Sequence, residues 1–148
     1  MTDTKDREII VNRVIDAPRE LVFDAFTQPD HIEGWWAPRS STTHEMDVQT
    51  GGAWRYSQTI RGSEQAFKVA FVEIDKPTRL VYDYGMDGAG APDPVRTTVS
   101  FAEEDGKTAI TMQLLFASKK EREQAVKYGA IVGAMQALEE LADYLAAL

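Results

Sequence analysis

Between residues 43 and 116 the sequence is written largely in period two. After Ser118 it changes to the period of a helix and keeps it to the end. Ile110, Met112, Leu114 and Phe116 alternate along one strand, so one face of the sheet they belong to is dry. Ile131, Met135, Leu138, Leu141 or Ala142, and Leu145 recur at helical spacing, with Glu139, Glu140 and Asp143 on the wet side. A sheet with one dry face must cover it, and this C-terminal helix is the only element large enough. The fold class follows: α+β, a curved antiparallel sheet gripping a long C-terminal helix.

The remaining elements fit around that pair. Residues 7–15, REIIVNRVI, are rich in β-branched residues and read as a first strand. In DAPRELVFDAF the period changes, with Val22, Ala25 and Phe26 at i, i+3, i+4; Pro18 suits a first helical turn and Glu20 the positive end of its dipole. TQPD stops that helix, and PDHIEGWW reads as a second short helix ending near Gly34. Strands are expected at 43–49, 53–60, 66–74, 79–85, 95–103 and 107–116. Thr50-Gly51-Gly52, the Asp75–Thr78 turn and Glu104-Asp105-Gly106 join three pairs of them, the last by the strongest hairpin signal in the chain. Residues 86–94 hold glycines and prolines and read as an exposed loop. From Ser118, a suitable N-cap, one unbroken helix is expected to the terminus. No repeat or linker interrupts the 148 residues, which are expected to form a single domain over 1–148.

Charge removes several classes of function. Sixteen basic residues against 24 acidic ones leave a formal charge of -8, which repels phosphate backbones, so nucleic acid is not expected as a partner. The chain has no cysteine, and disulfide, thiolate and cysteine-based zinc chemistry fall away. There is no signal-peptide pattern and no apolar run of membrane-spanning length. A cytoplasmic location is expected, with no membrane partner.

One short stretch stands out. In DHIEGWWAP, Trp35 and Trp36 are adjacent, and adjacent residues share no face of a helix or strand. At least one indole needs a second surface. That surface is ordinary core, a partner protein, or the wall of a cavity.

VIDAPRELVFDAFTQPDHIEGWWAP, followed by TGGAWRY and VEIDKPTRLVYDY, resembles the Hsp90-ATPase-activator-like branch of the START/Bet v 1-like superfamily over essentially the whole chain. The resemblance implies an apolar cavity between sheet and long helix, of the kind used for lipids, sterols, polyketides or other hydrophobic molecules. Strand parity then names its walls: Trp54, Tyr56 and Gln58; Tyr82 and Tyr84 beside Leu80; Met112, Leu114 and Phe116. The helix is expected to set Tyr128, Ile131, Val132 and Met135 against them, with the tryptophan pair near the open end: Trp35 closing the short helix into the core and Trp36 turned toward the mouth, set against plain core packing of both. Such a lining suits a flat or flexible apolar ligand, although each residue taken singly is equally at home in a filled core. Gly129 and Gly133 each cost a helix roughly 1 kcal/mol against alanine and imply a packing reason.

Catalytic motifs are scarce. His31 and His44 are the only histidines and lack ligand spacing, so no metal and no cofactor is expected. His44, Glu45 and Asp47 split between strand faces and read as a solvated edge. No Gly-x-Ser-x-Gly elbow occurs, and GAGAP lies in a loop rather than between strand and helix. Arg55, Asp83 and Arg96 are candidates for charged surface pairs. The leading reading is binding of a hydrophobic small molecule without covalent chemistry. Its alternatives are an enzyme of the polyketide cyclase, aromatase or hydrolase kind in the same cavity, and a co-chaperone-like interaction module. Proteins that activate Hsp90 carry a further N-terminal domain, so Hsp90 is not an expected partner. A monomer or weak homodimer is expected.

Overall fold

A computed structural model describes residues 4–36 and 41–148. The Ala37-Pro38 part of the tryptophan motif falls outside them. In chain order the elements are β1 (Glu8–Ile15), α1 (Arg19–Thr27), α2 (Pro29–Trp35), β2 (Ser41–Met46), β3 (Ala53–Ile60), β4 (Ser63–Asp75), β5 (Arg79–Met86), β6 (Val95–Glu104), β7 (Lys107–Leu115), α3 (Lys119–Lys127) and α4 (Ala130–Ala146). The seven strands form one antiparallel sheet in the order β1-β7-β6-β5-β4-β3-β2. The first strand thus closes against the last, and consecutive strands from β2 to β7 are neighbours.

Local chemistry accounts for most boundaries. Pro18 is the N-cap of α1 rather than part of its first turn, and Pro29 opens α2 at N1, where no amide hydrogen is missed. Asp105 and Gly106 both take positive φ, 51° and 81°, the two-residue turn that matches strand twist. Arg61 and Gly62 do the same at 52° and 82°. That hairpin lets β4 begin at Ser63, three residues before the start expected at residue 66, because an arginine at the first turn position carries little turn signal.

The C-terminal helix departs from expectation. It is two helices, broken at Tyr128-Gly129, with Gly129 at φ +92° as the N-cap of α4. Only glycine takes that conformation without strain, so Gly129 ends one helix and starts another rather than weakening a single one. Ser118 caps α3 as expected, its hydroxyl accepting the Glu121 amide at 3.1 Å.

The dry face of the sheet carries Trp54, Tyr56, Val69, Phe71, Leu80, Tyr82, Val99, Phe101, Ile110 and Met112, all buried. Phe23 and Phe26 of α1 meet Phe101 edge-on at 5.1 and 5.5 Å. Leu138, Leu141 and Leu145 of α4 complete this core. On the outer face Arg96 grips Asp83 with two hydrogen bonds of 2.8 and 2.9 Å, and Arg55 reaches Glu45 and Asp87. These exposed pairs contribute little to stability.

Candidate ligand-binding site

The core does not fill the space between sheet and helices. A partly open cavity of about 540 Å³ remains, within the size range of small-molecule sites. Its floor follows from strand register. Tyr82 of β5 pairs with Thr97 of β6, which pairs with Leu114 of β7, and Tyr84 pairs with Val95 in the next row outward. Met112 and Phe116 extend the floor along β7 and just beyond it.

The tryptophan pair forms one wall. Trp35 donates its indole N–H to the Ala25 carbonyl at 2.8 Å and meets Phe26 edge-on at 5.0 Å. Trp36 lies 5.4 Å from Trp54 and 5.2 Å from Tyr82, ring centre to ring centre. Both indoles are half-buried and both line the cavity. The expected division into a core Trp35 and a mouth Trp36 does not hold: Trp36, just past the end of α2, reaches further into the aromatic cluster. Consecutive indoles here diverge by only 34° between ring planes, because Trp36 sits in the turn where the helix ends.

The opposite wall is made of small residues. Ala125 of α3 and Ala130, Gly133, Ala134 and Ala137 of α4 face the space, with Glu140 at its rim. This corrects the helix phase expected from the sequence. Tyr128 is 85% exposed, Val132 60% and Met135 58%; Ile131 is partly buried against the core but is not part of the cavity wall. Val132 and Met135 instead border a shallow groove over Asn12 and Arg13 of β1. Hydrophobic periodicity puts the largest apolar residues inside, whereas α4 turns its small ones inward, which is why space is left.

Among the strand residues, Tyr82, Tyr84, Met112, Leu114 and Phe116 come together on the floor as expected. Trp54 and Tyr56 lie fully buried behind it, stacked at 4.2 Å. They support the site rather than line it: Trp54 backs Trp36, and the Tyr56 hydroxyl lies 3.0 Å from that of Tyr84. Gln58 does not reach the cavity. It borders a separate concavity with Thr42, His44, Ser57, Thr59 and Glu64 near the end of β3. Phe26, Val95, Thr97 and Glu140 join the lining without having been expected there. Val95 and Thr97 share strand parity with Val99 and Phe101, a signal present in the sequence; Glu140 gave none.

The polar groups of the floor are neutral. Burial, followed by the neighbouring phenol Tyr84, pushes the Tyr56 and Tyr82 hydroxyls well above the ordinary tyrosine range, and burial raises Tyr84 as well. They can orient a ligand by hydrogen bonds but hold no charge. His44 Nε2 lies 2.8 Å from Ser57 Oγ outside the cavity. Among the described residues no group of three or more His, Cys, Asp or Glu could hold a metal ion, and no helix is long and apolar enough to cross a membrane.

A family model for the Activator of Hsp90 ATPase homolog 1-like protein matches residues 16–146. The chain belongs to this family. Solved structures share the fold that frames the cavity. Protein Ms6760 from Mycobacterium smegmatis is 22% identical, with a TM-score of 0.80 over 97% of this chain and 93% of its own. A solution structure from Arthrobacter aurescens is 20% identical, with a TM-score of 0.85 over 100% and 91%. Another from Staphylococcus epidermidis is 24% identical, at 0.80 over 97% and 92%. At these identities the likeness is one of fold. Comparison with curated protein sequences found no match.

Proposed function

We propose that the protein binds a hydrophobic small molecule in the cavity between sheet and α4, without covalent chemistry. One observation carries the reading: α4 faces a floor of Tyr82, Tyr84, Met112 and Leu114 with alanine and glycine, leaving about 540 Å³ open where leucines would have closed the core. Apolar walls with a few phenol and hydroxyl groups are what orienting an apolar ligand requires. A reaction would need a placed acid, base or nucleophile; the floor offers phenols that burial holds protonated and the Thr97 hydroxyl, and the one carboxylate among the described lining residues, Glu140, is exposed.

An apolar fluorescent dye should bind with saturable one-to-one stoichiometry and quench tryptophan fluorescence through Trp35 and Trp36. Ala134→Leu, which places a branched side chain in the space, should abolish binding and leave the fold intact. Dye binding unchanged in that variant would end the proposal. Native mass spectrometry of protein from its own host would then identify a retained ligand.

A further inference from the structure

Among the described residues, the side chains that line the cavity are apolar or neutral, with one exception. Glu140 is the only charged residue among the described lining residues, and no lysine, arginine or histidine accompanies it there. Its place on α4 is defined by its neighbours. Tyr144, one turn further along the same face, packs against Gly34 at the end of α2. Glu140 lines the cavity yet is itself exposed, so it stands where the cavity meets solvent, one turn from the contact of α4 with α2. Glu139 beside it is tied to Arg13 and Tyr144 to His31, but among the described residues no hydrogen bond or ion pair engages the Glu140 carboxylate.

We infer that the cavity selects a lipophilic amine: an apolar body on the sheet floor and an ammonium group at the mouth, between the Glu140 carboxylate and the indole rings of Trp35 and Trp36. The inference rests on the ligand-binding reading above and adds the charge of the ligand to it. A carboxylic acid entering this space would lose hydration with no cation among the described lining residues to replace it, and would face Glu140. A neutral molecule would use the floor alone. An ammonium group keeps part of its hydration at the open mouth and gains both a carboxylate partner and aromatic faces, a combination that favours cations.

Three anthracene probes of one shape test this: 9-(aminomethyl)anthracene, 9-anthracenemethanol and 9-anthracenecarboxylic acid, titrated by probe fluorescence at neutral pH. The amine should bind about five- to tenfold more tightly than the alcohol, and the acid most weakly, with the amine's advantage shrinking as salt is added. Glu140→Gln should remove most of that advantage while leaving the alcohol unchanged; Glu139→Gln should alter neither. Equal binding of amine and alcohol, tightest binding of the acid, or an unaltered ranking in Glu140→Gln would overturn the inference while the cavity reading stands. Failure of all three probes to bind would overturn both.

Discussion

Gly34 and Tyr144 touch where a side chain on the glycine could not fit: a Cβ there would lie 2.4 Å from the Tyr144 ring. This contact brings α2 against α4 and so sets the distance between the tryptophan wall and the small-residue wall. The ring has little freedom to yield, because its hydroxyl lies 2.7 Å from His31 Nδ1.

Gly34→Ala should therefore destabilise the protein, although alanine is the better helix former. The gain in helix propensity is roughly 1 kcal/mol, and overpacking costs about 1–3 kcal/mol. A lower melting temperature together with altered dye affinity is expected, since the wall must move. An unchanged melting temperature would show that Tyr144 swings aside freely.

Two other glycines should respond with opposite signs. Gly129 holds φ +92° at the break between α3 and α4, and alanine there should cost about 1 kcal/mol or more. Gly133 lies inside α4, and a methyl group in place of its hydrogen would meet nothing within 4 Å. Gly133→Ala should stabilise the protein by roughly 0.5–1 kcal/mol. Denaturant midpoints of the two variants decide the matter, and a loss in both would mean that Gly133 is needed for a close approach.

These residues also mark what is legible in the sequence. Period two followed by period 3.6 determines the layers, and strand parity places Tyr82, Tyr84, Met112 and Leu114 on one floor. The phase of the helix is not legible in the same way, because size is a poor guide to burial here. Val132 and Met135 are large and exposed, while Ala130, Ala134 and Ala137 are small and face inward. A cavity is bounded by absent volume, which hydrophobic periodicity does not register. The break at Gly129 is equally hidden, since a glycine in a helical pattern reads the same whether it sits inside a helix or between two.

The buried phenols give the fold an alkaline limit. Tyr56, Tyr82 and Tyr84 all titrate higher in the folded state than the ordinary value of 10.0. Below that value both states keep their protons and stability is unaffected. Above it the unfolded chain releases protons that the folded chain retains, so stability falls as pH rises. The melting temperature should be flat from neutral pH to about 10 and then decline. Tyr82→Phe should make the decline shallower; an identical slope in that variant would remove Tyr82 as a cause.

The tryptophans should separate stability from binding. Trp36 touches Phe26, Trp35, Trp54 and Tyr82, whereas Trp35 rests on Phe26 and Trp36 and on one hydrogen bond to the Ala25 carbonyl. A fully buried indole costs about 3–5 kcal/mol when truncated to alanine. Both rings here are half-buried, so each variant should fold at a smaller cost. Trp36→Ala removes the ring that joins the wall to Trp54 and Tyr82, and should be both the less stable variant and the weaker binder of an apolar dye. Trp35→Ala frees the Ala25 carbonyl at the end of α1 and should lose stability with a smaller effect on dye affinity. Thermal melts and dye titrations of the pair give four numbers. If Trp35→Ala proves the weaker binder, the ligand sits at the α1 side of the wall rather than over Tyr82.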